Sequence, residues 1–250
     1  MRFGLACAIA VFVLLLAGCG GNKNGASSST ASTSAAAATT TAASNGEASK
    51  SGPQIIADTQ KAIAAAKSVH IVGSGTSAGT KLTIDITYDT SAKGGGEGHL
   101  SINGLGFDIA HVAGKTYFRG DAKFLTQYTG AAGAKLLAGK WFFVSNAATG
   151  SFASLVQLTN LSTLAAAIIG TTATITKGAA TTVDGQPAIA LTKKGTAGEL
   201  DIATTGPAYP LELSPGGKAS GVIKFEDWDK PVTLPVPKNP LDFAKIVGKK

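Results

Sequence analysis

The sequence predicts an α+β domain built on one large antiparallel sheet, with its helices gathered on one face. Three observations predict it. Residues 81–89 alternate strictly: Leu82, Ile84, Ile86 and Tyr88 share one side, and Lys81, Thr83, Asp85, Thr87 and Asp89 share the other. That is the pattern of a strand with one dry face and one wet face. Two longer stretches, 53–67 and 151–169, carry apolar residues at helical spacing. Finally, strands, then inserted helices, then further strands suit helices segregated to one side of a sheet.

Taken in order, Pro53 to Lys67 places Ile55, Ile56, Thr59, Ala62, Ile63 and Ala66 at helical spacing, with Pro53 where a first turn accepts proline. After Ser68 the period becomes two, and Val69, Ile71 and Gly73 alternate with His70, Val72 and Ser74. Glycine-rich turns are expected at Gly73–Gly79 and Gly94–Gly98. Short strands follow at 100–102, 107–109, 116–118 and 141–144, with one or two short helices between Asp121 and Leu137. In the second helical region, Ser151 to Ile169, an apolar stripe runs through Phe152, Leu155, Leu158, Leu161, Leu164 and Ile168. Strands resume at 173–177, 181–183, 188–193, 199–204, 211–213 and 221–228. The tail from Pro231 to Val247 is proline-rich and ends in a short helix at best.

The first residues form a separate unit. Arg2 gives a positive start, Leu5 to Leu16 an apolar run, and Ala17-Gly18 the small residues a signal peptidase accepts. Cys19 follows at once, and Leu16-Ala17-Gly18-Cys19 resembles the cleavage site of lipoprotein signal peptides, in which the thiol is acylated. The expectation is a signal over 1–18, removed to leave Cys19 as a lipid attachment site. The alternatives are an ordinary secretory signal or an uncleaved anchor. The run is short for a membrane span, which takes about 20 residues. Residues 20–52 are almost wholly Gly, Ser, Thr, Ala and Asn, too poor in apolar surface to offset their ordering entropy. They read as a flexible tether, on the order of 30 Å in coil span, which leaves 53–250 as the folded domain.

Composition narrows the chemistry. Cys7 and Cys19 are the two cysteines, so the domain has no thiol for a disulfide, a thiolate metal site or a nucleophile. The net charge of +7 comes mainly from scattered lysines, without the basic stripe and interleaved aromatics of a nucleic-acid reader. A mild positive balance suits a neighbour of anionic head groups. Gly75-Thr76-Ser77-Ala78-Gly79 matches the G-x-S-x-G of serine hydrolases, but that chemistry needs a strand-to-helix turn, and a strand follows here. His99 and His111 come later in the chain, with Asp85 and Asp89 before them, so a triad order is formally present. His70 and His99 fall on wet positions, while His111 shares parity with Phe107 and Ile109. No histidine pair has metal-ligand spacing. Gly94-Gly95-Gly96 lacks the lysine and helix of a phosphate loop. The expectation is no catalytic residue, no metal and no cofactor.

Several further stretches, in their order along the chain, carry a resemblance. Ala65-Ala66-Lys67-Ser68-Val69-His70-Ile71 joins the first helix to the first strand, while Thr116-Tyr117-Phe118-Arg119-Gly120-Asp121 and Gly139-Lys140-Trp141 bracket the first helical insert. Thr181-Thr182-Val183-Asp184-Gly185-Gln186-Pro187-Ala188 forms a turn. Tyr209-Pro210-Leu211 precedes Ile223-Lys224-Phe225-Glu226-Asp227-Trp228, then Pro231-Val232 and Pro235. Over roughly 53–240 the chain resembles the LppX/LprG family of actinobacterial lipoproteins, relatives in fold of the LolA and LolB carriers. The resemblance implies a half-barrel sheet closed on one side by helices around an apolar cavity. It also implies acyl lipids or glycolipids as ligands, which such proteins help to move across the cell envelope; a membrane transporter is an expected partner.

The expected protein is therefore a monomeric lipid binder, not an enzyme, held by its lipid on the extracytoplasmic face of the cell membrane. Phe152, Leu155, Leu158, Leu161, Leu164 and Ile168 are the candidate ligand-binding residues, and no nucleic acid is expected as partner. An anchored interaction module with a filled core is the alternative, and an envelope hydrolase using Ser77 a remote one.

Overall fold

The computed structural model describes residues 43–77, 79–91, 94–145, 150–169, 175–194, 198–216 and 219–247. Cys19, the signal and residues 20–42 of the tether lie outside them. Twelve strands form one curved open sheet: β1 (Ser68–Ser77), β2 (Thr80–Asp89), β3 (Gly95–Ile102), β4 (Leu105–Val112), β5 (Lys115–Gly120), β6 (Phe142–Val144), β7 (Ile175–Val183), β8 (Gln186–Lys193), β9 (Glu199–Ala203), β10 (Pro210–Ser214), β11 (Ser220–Glu226) and β12 (Leu241–Asp242). Their order is β12-β6-β5-β4-β3-β2-β1-β11-β10-β9-β8-β7. Each half is a meander, and β1 joins the halves by pairing antiparallel with β11. Every pairing is antiparallel except β12 with β6.

Period-two patterning gives this sheet two unlike faces. Val69, Ile71, Ile84, Ile86, Leu100, Phe107, Ile109, Phe118 and Phe142 are buried on the inner face. Against that face lie α1 (Gly52–Ala65), α2 (Ala122–Leu137), α3 (Ala153–Val156), α4 (Leu161–Ile169) and α5 (Phe243–Val247). In α1, Gln54 Oε1 accepts from the Ser51 backbone N–H and from its hydroxyl, which fixes the helix start. In α2, Asp121 Oδ1 accepts from Phe124 N–H at 2.8 Å, an N-cap. Gly130, at φ 75°, kinks α2 into two short helices.

Two expectations need correction. The glycines at 94–98 do not make a turn, because β3 begins at Gly95, and Gly73 and Gly75 likewise stand inside β1, which runs to Ser77. A Cβ on Gly98 would stand 2.0 Å from the Asp85 carbonyl oxygen, so the close approach of β2 requires glycine in mid-strand. The tether also ends earlier than composition suggests. Ser44 bridges Thr205, and Asn45 Nδ2 donates to the carbonyls of Ala203 and Gly206. Lys50 then binds Glu47 and Asp58, each at 2.7 Å. Residues 44–52 therefore belong to the domain, held by hydrogen bonds that composition does not report.

The proline-rich tail does work that periodicity gives no sign of. The Ser68 hydroxyl donates to the Lys230 carbonyl, and Asp229 N–H to the Ser68 carbonyl. Beyond this point Leu234 covers Ala110, Val112 and Tyr117 on the outer face, beside Trp141 and Phe143. Leu241 N–H reaches the Trp141 carbonyl, β12 pairs with β6, and Phe243 enters the inner core. The tail thus straps the outer face and folds over the β6 edge, covering an otherwise open edge.

Candidate functional site

The stripe from Phe152 to Ile168 forms four short segments rather than one helix. A 3₁₀ turn (Gly150–Phe152) leads into α3, and a second 3₁₀ turn (Gln157–Thr159) leads to Asn160, whose backbone is extended. Local hydrogen bonds explain the breaks. Thr159 Oγ1 donates to the Val156 carbonyl at 2.8 Å, and Asn160 Oδ1 accepts from Thr163 N–H at 2.9 Å, starting α4. Phe152, Leu155 and Leu161 are buried, whereas Leu158 and Leu164 are half-buried against the same core. Ile168 falls in α4, but its side chain lies outside the described residues.

One end of the interior is filled with rings. Phe152 is at their centre, with ring centroids 4.9 Å from Phe118, 5.3 Å from Phe243, 5.4 Å from Tyr128 and 5.6 Å from Phe142. Phe124 continues the cluster, 4.7 Å from Tyr128 and 4.6 Å from Phe107. Spacings of this kind are favourable for aromatic pairs. Sequence reasoning placed Phe152 in the site but missed its neighbours, which come from β5, β6, α2 and α5. Parity in 141–144 hints at an inward Phe142; nothing local signals Phe243.

Two polar atoms in the helical layer lack partners. Thr59 is fully buried in the apolar stripe of α1 and its Oγ1 has no hydrogen bond; Glu47 Oε2 is likewise buried and unpaired. Glu47 Oε1, by contrast, accepts from Lys50 at 2.7 Å.

The outer face carries a different arrangement. Register aligns Val72, Asp85, His99, Asp108 and Arg119 in one row across β1 to β5. His99 Nδ1 stands 2.8 Å from Asp108 Oδ1, and Arg119 Nε donates to Asp108 Oδ2 at 2.7 Å. The Arg119 guanidinium lies 4.8 Å from the Trp141 ring centre. His70 Nε2 is 2.8 Å from Asp85 Oδ1. Asp85, Glu97, His99, Asp108, Arg119 and Trp141 line a shallow cleft of about 260 Å³. Burial, and then Asp108 nearby, push the Glu97 carboxyl above its ordinary range. Asp85 and Asp108 are already engaged by His70, His99 and Arg119, so the row is a hydrogen-bonded ladder. Among the described residues, no group of three or more His, Cys, Asp or Glu is placed to hold a metal.

The serine motif does not assemble a catalytic centre. β1 ends at Ser77 and β2 starts at its register partner Thr80, so a strand follows the motif instead of a helix. His99 pairs with Asp85, five residues along β2 from Thr80, roughly 17 Å away at strand spacing. His111 shares the inner face with Phe107 and Ile109, its Nδ1 2.8 Å from Thr116 Oγ1, and burial lowers its pKa. That is a half-buried, hydrogen-bonded histidine on the inner face.

Sheet, strap and one-sided helical layer define a single-sheet α+β domain whose apolar inner face is roofed by short helices. Solved structures resemble the chain to differing degrees. LprF from Mycobacterium bovis is 15% identical, with a TM-score of 0.50 over 74% of this chain and 96% of its own. The lipoprotein LppX from Mycobacterium tuberculosis is 14% identical, with a TM-score of 0.44 over 72% of this chain and 96% of its own. At such identities the likeness to LprF shows the fold alone. No protein-family model matches the chain, and no curated protein matches it. Among the described residues no helix is long and apolar enough to cross a membrane.

Proposed function

We propose that this chain is a lipoprotein, anchored through Cys19 to the outer face of the cell membrane, that binds acyl lipids or glycolipids between its sheet and helices. Its role is to shield acyl chains from water and to aid their transfer across the envelope, passing them to or from a membrane transporter. It acts by binding, as a monomer, without a catalytic residue, metal or cofactor. One observation carries the reading: an apolar inner face on a twelve-strand sheet is roofed by short, interrupted helices with half-buried leucines. The half-buried Leu158 and Leu164 mark the part of this roof that is packed least and parts from the sheet most readily. Phe152, Leu155, Leu158, Leu161, Leu164 and Ile168 are the proposed lining. A chain of about 16 carbons moved from water into that lining gains roughly 12 kcal/mol before ordering costs. The fold shared with LprF agrees with the family resemblance on which the reading rests.

The ring cluster around Phe152 favours a second reading, an anchored interaction module whose core is already full. A pyrene-labelled fatty acid titrated into the chain from residue 20 onward distinguishes them. Saturable binding that Leu164→Trp weakens supports the lipid binder; no binding to the wild-type chain supports the filled module. For the hydrolase, any ester cleavage unchanged by Ser77→Ala rules out that serine.

A further inference from the structure

We propose that the solvent side of α2 docks on an anionic bilayer surface and so sets how the domain stands on the membrane. The inference deepens the membrane-anchored reading above, and charge placement carries it. Between Ala122 and Lys140 the chain has Lys123, Lys135 and Lys140 and no carboxylate. All three lysines are exposed. Asp121, at the start of the helix, is engaged as its cap. The lysines around α1 are differently placed, since Lys50, just before the helix, is paired with Glu47 and Asp58, and Lys61 is paired with Asp58. Lys140 Nζ donates to the Leu136 carbonyl, which keeps an ammonium at the helix end. Beside it Leu136 is 53% exposed, one of three exposed large apolar side chains among the described residues.

The opposite side of the molecule is acidic. Asp85, Glu97, Asp108, Asp201, Glu212 and Glu226 stand on the outer sheet face, where the strands themselves carry the cations Lys81, Lys115, Arg119 and Lys224. Arg119 and Lys224 are held in ion pairs there, with Asp108 and Asp184. A chain of net charge +7 is thus divided into an acidic sheet face and a basic helical side. Near an anionic surface this asymmetry gives a torque that turns the helices toward the head groups. A free apolar side chain flanked by lysines matches the interface, where leucine enters the acyl boundary and ammonium groups meet phosphates. The tether cannot supply this orientation. The roughly 24 residues from Cys19 to Ala43 span at most about 80 Å of covalent chain, which bounds distance and not orientation. Docked by α2, the domain would present its helical roof to the bilayer that supplies the proposed cargo.

The test uses the chain from residue 20 onward, which keeps every described residue and removes the acylation site. Sedimentation with phosphatidylcholine vesicles is compared with vesicles carrying about a third phosphatidylglycerol. The expected result is binding to the anionic vesicles alone, weakening as salt rises. Lys123→Gln, Lys135→Gln and Lys140→Gln together should lower it by on the order of a hundred-fold, about five-fold per lysine. Removing three charges elsewhere, with Lys81→Gln, Lys115→Gln and Lys230→Gln, should leave it within a few-fold. Equal losses in the two triple variants would overturn the proposal, as would wild-type binding by the α2 variant. Failure to bind anionic vesicles would also overturn it and leave the α2 lysines to an acidic protein partner. Because vesicle binding does not read cargo, an empty interior would sink the lipid-binding reading and leave this one standing.

Discussion

The Tyr88 hydroxyl donates to the Leu158 carbonyl across 2.5 Å, tying the inner face of β2 to the 3₁₀ turn that interrupts the helical roof. Tyr88 is fully buried, and its burial pushes the phenol pKa up. Gly96 makes the contact possible, since a Cβ there would lie 2.9 Å from the Tyr88 ring and 3.3 Å from the Thr159 carbonyl. The same pair of residues therefore joins the sheet to the proposed lining. Tyr88→Phe should leave the Leu158 carbonyl unpaired and cost about 1–3 kcal/mol. Urea unfolding checks this, and an unchanged midpoint would show that the tie contributes nothing.

Phe152 touches four rings, so its loss leaves a large cavity. Phe152→Ala should destabilise the chain by about 3–5 kcal/mol. Leu164→Ala, at a half-buried position, should cost clearly less. Thermal unfolding of the two variants gives the comparison. Equal losses would mean that the roof over Leu164 packs as tightly as the ring cluster.

Two aspartates should impose opposite pH slopes. Asp201 is 5% exposed, its Oδ1 has no partner, and burial, then Glu199 and Glu212, raise its pKa from 3.8 to about 6. The folded state then holds a proton that the unfolded state releases earlier, so this stabilisation is complete below about pH 4 and is lost as pH rises through about 6. Asp229 behaves the other way. It accepts from the Tyr209 hydroxyl at 2.6 Å and from Lys67 N–H at 2.7 Å, and these bonds hold its pKa below the ordinary value. Its contribution is present above pH 3.8 and is lost as pH falls through the depressed value. Asp201→Asn should flatten the slope between pH 4 and 6, and Asp229→Asn the slope below it. Unfolding midpoints measured from pH 3 to 8 check both signs.

Thr59 is buried without a partner for its hydroxyl. Replacing it by the near-isosteric valine removes that unmet polar group and should stabilise the chain by about 1 kcal/mol. A loss of stability in the denaturant midpoint would show that the hydroxyl has a hydrogen-bonding role.

Strong periodicity made some of this protein legible. The alternation in 81–89 became β2, the spacing in 53–67 became α1, and parity assigned His70 and His99 to the wet face. The stripe at 152–168 was visible for the same reason, although Thr159 and Asn160 break it through local bonds that no period records. Long-range backbone relationships left no such trace. Gly98 is in a strand because of where Asp85 lies, and Asn45 is ordered by carbonyls about 160 residues away. Phe243 reaches the ring cluster only because the tail turns over the β6 edge.

Everything proposed for function turns on whether acyl chains occupy the space under the roof. The most direct measurement is mass spectrometry of organic extracts from the acylated chain purified from its native membrane, with the lipid covalently held at Cys19 counted separately. The account predicts non-covalent acyl lipid near one equivalent per chain, much reduced by Leu164→Trp in a variant that still folds. Extracts free of non-covalent lipid, from wild-type chain that is folded and anchored, would contradict it.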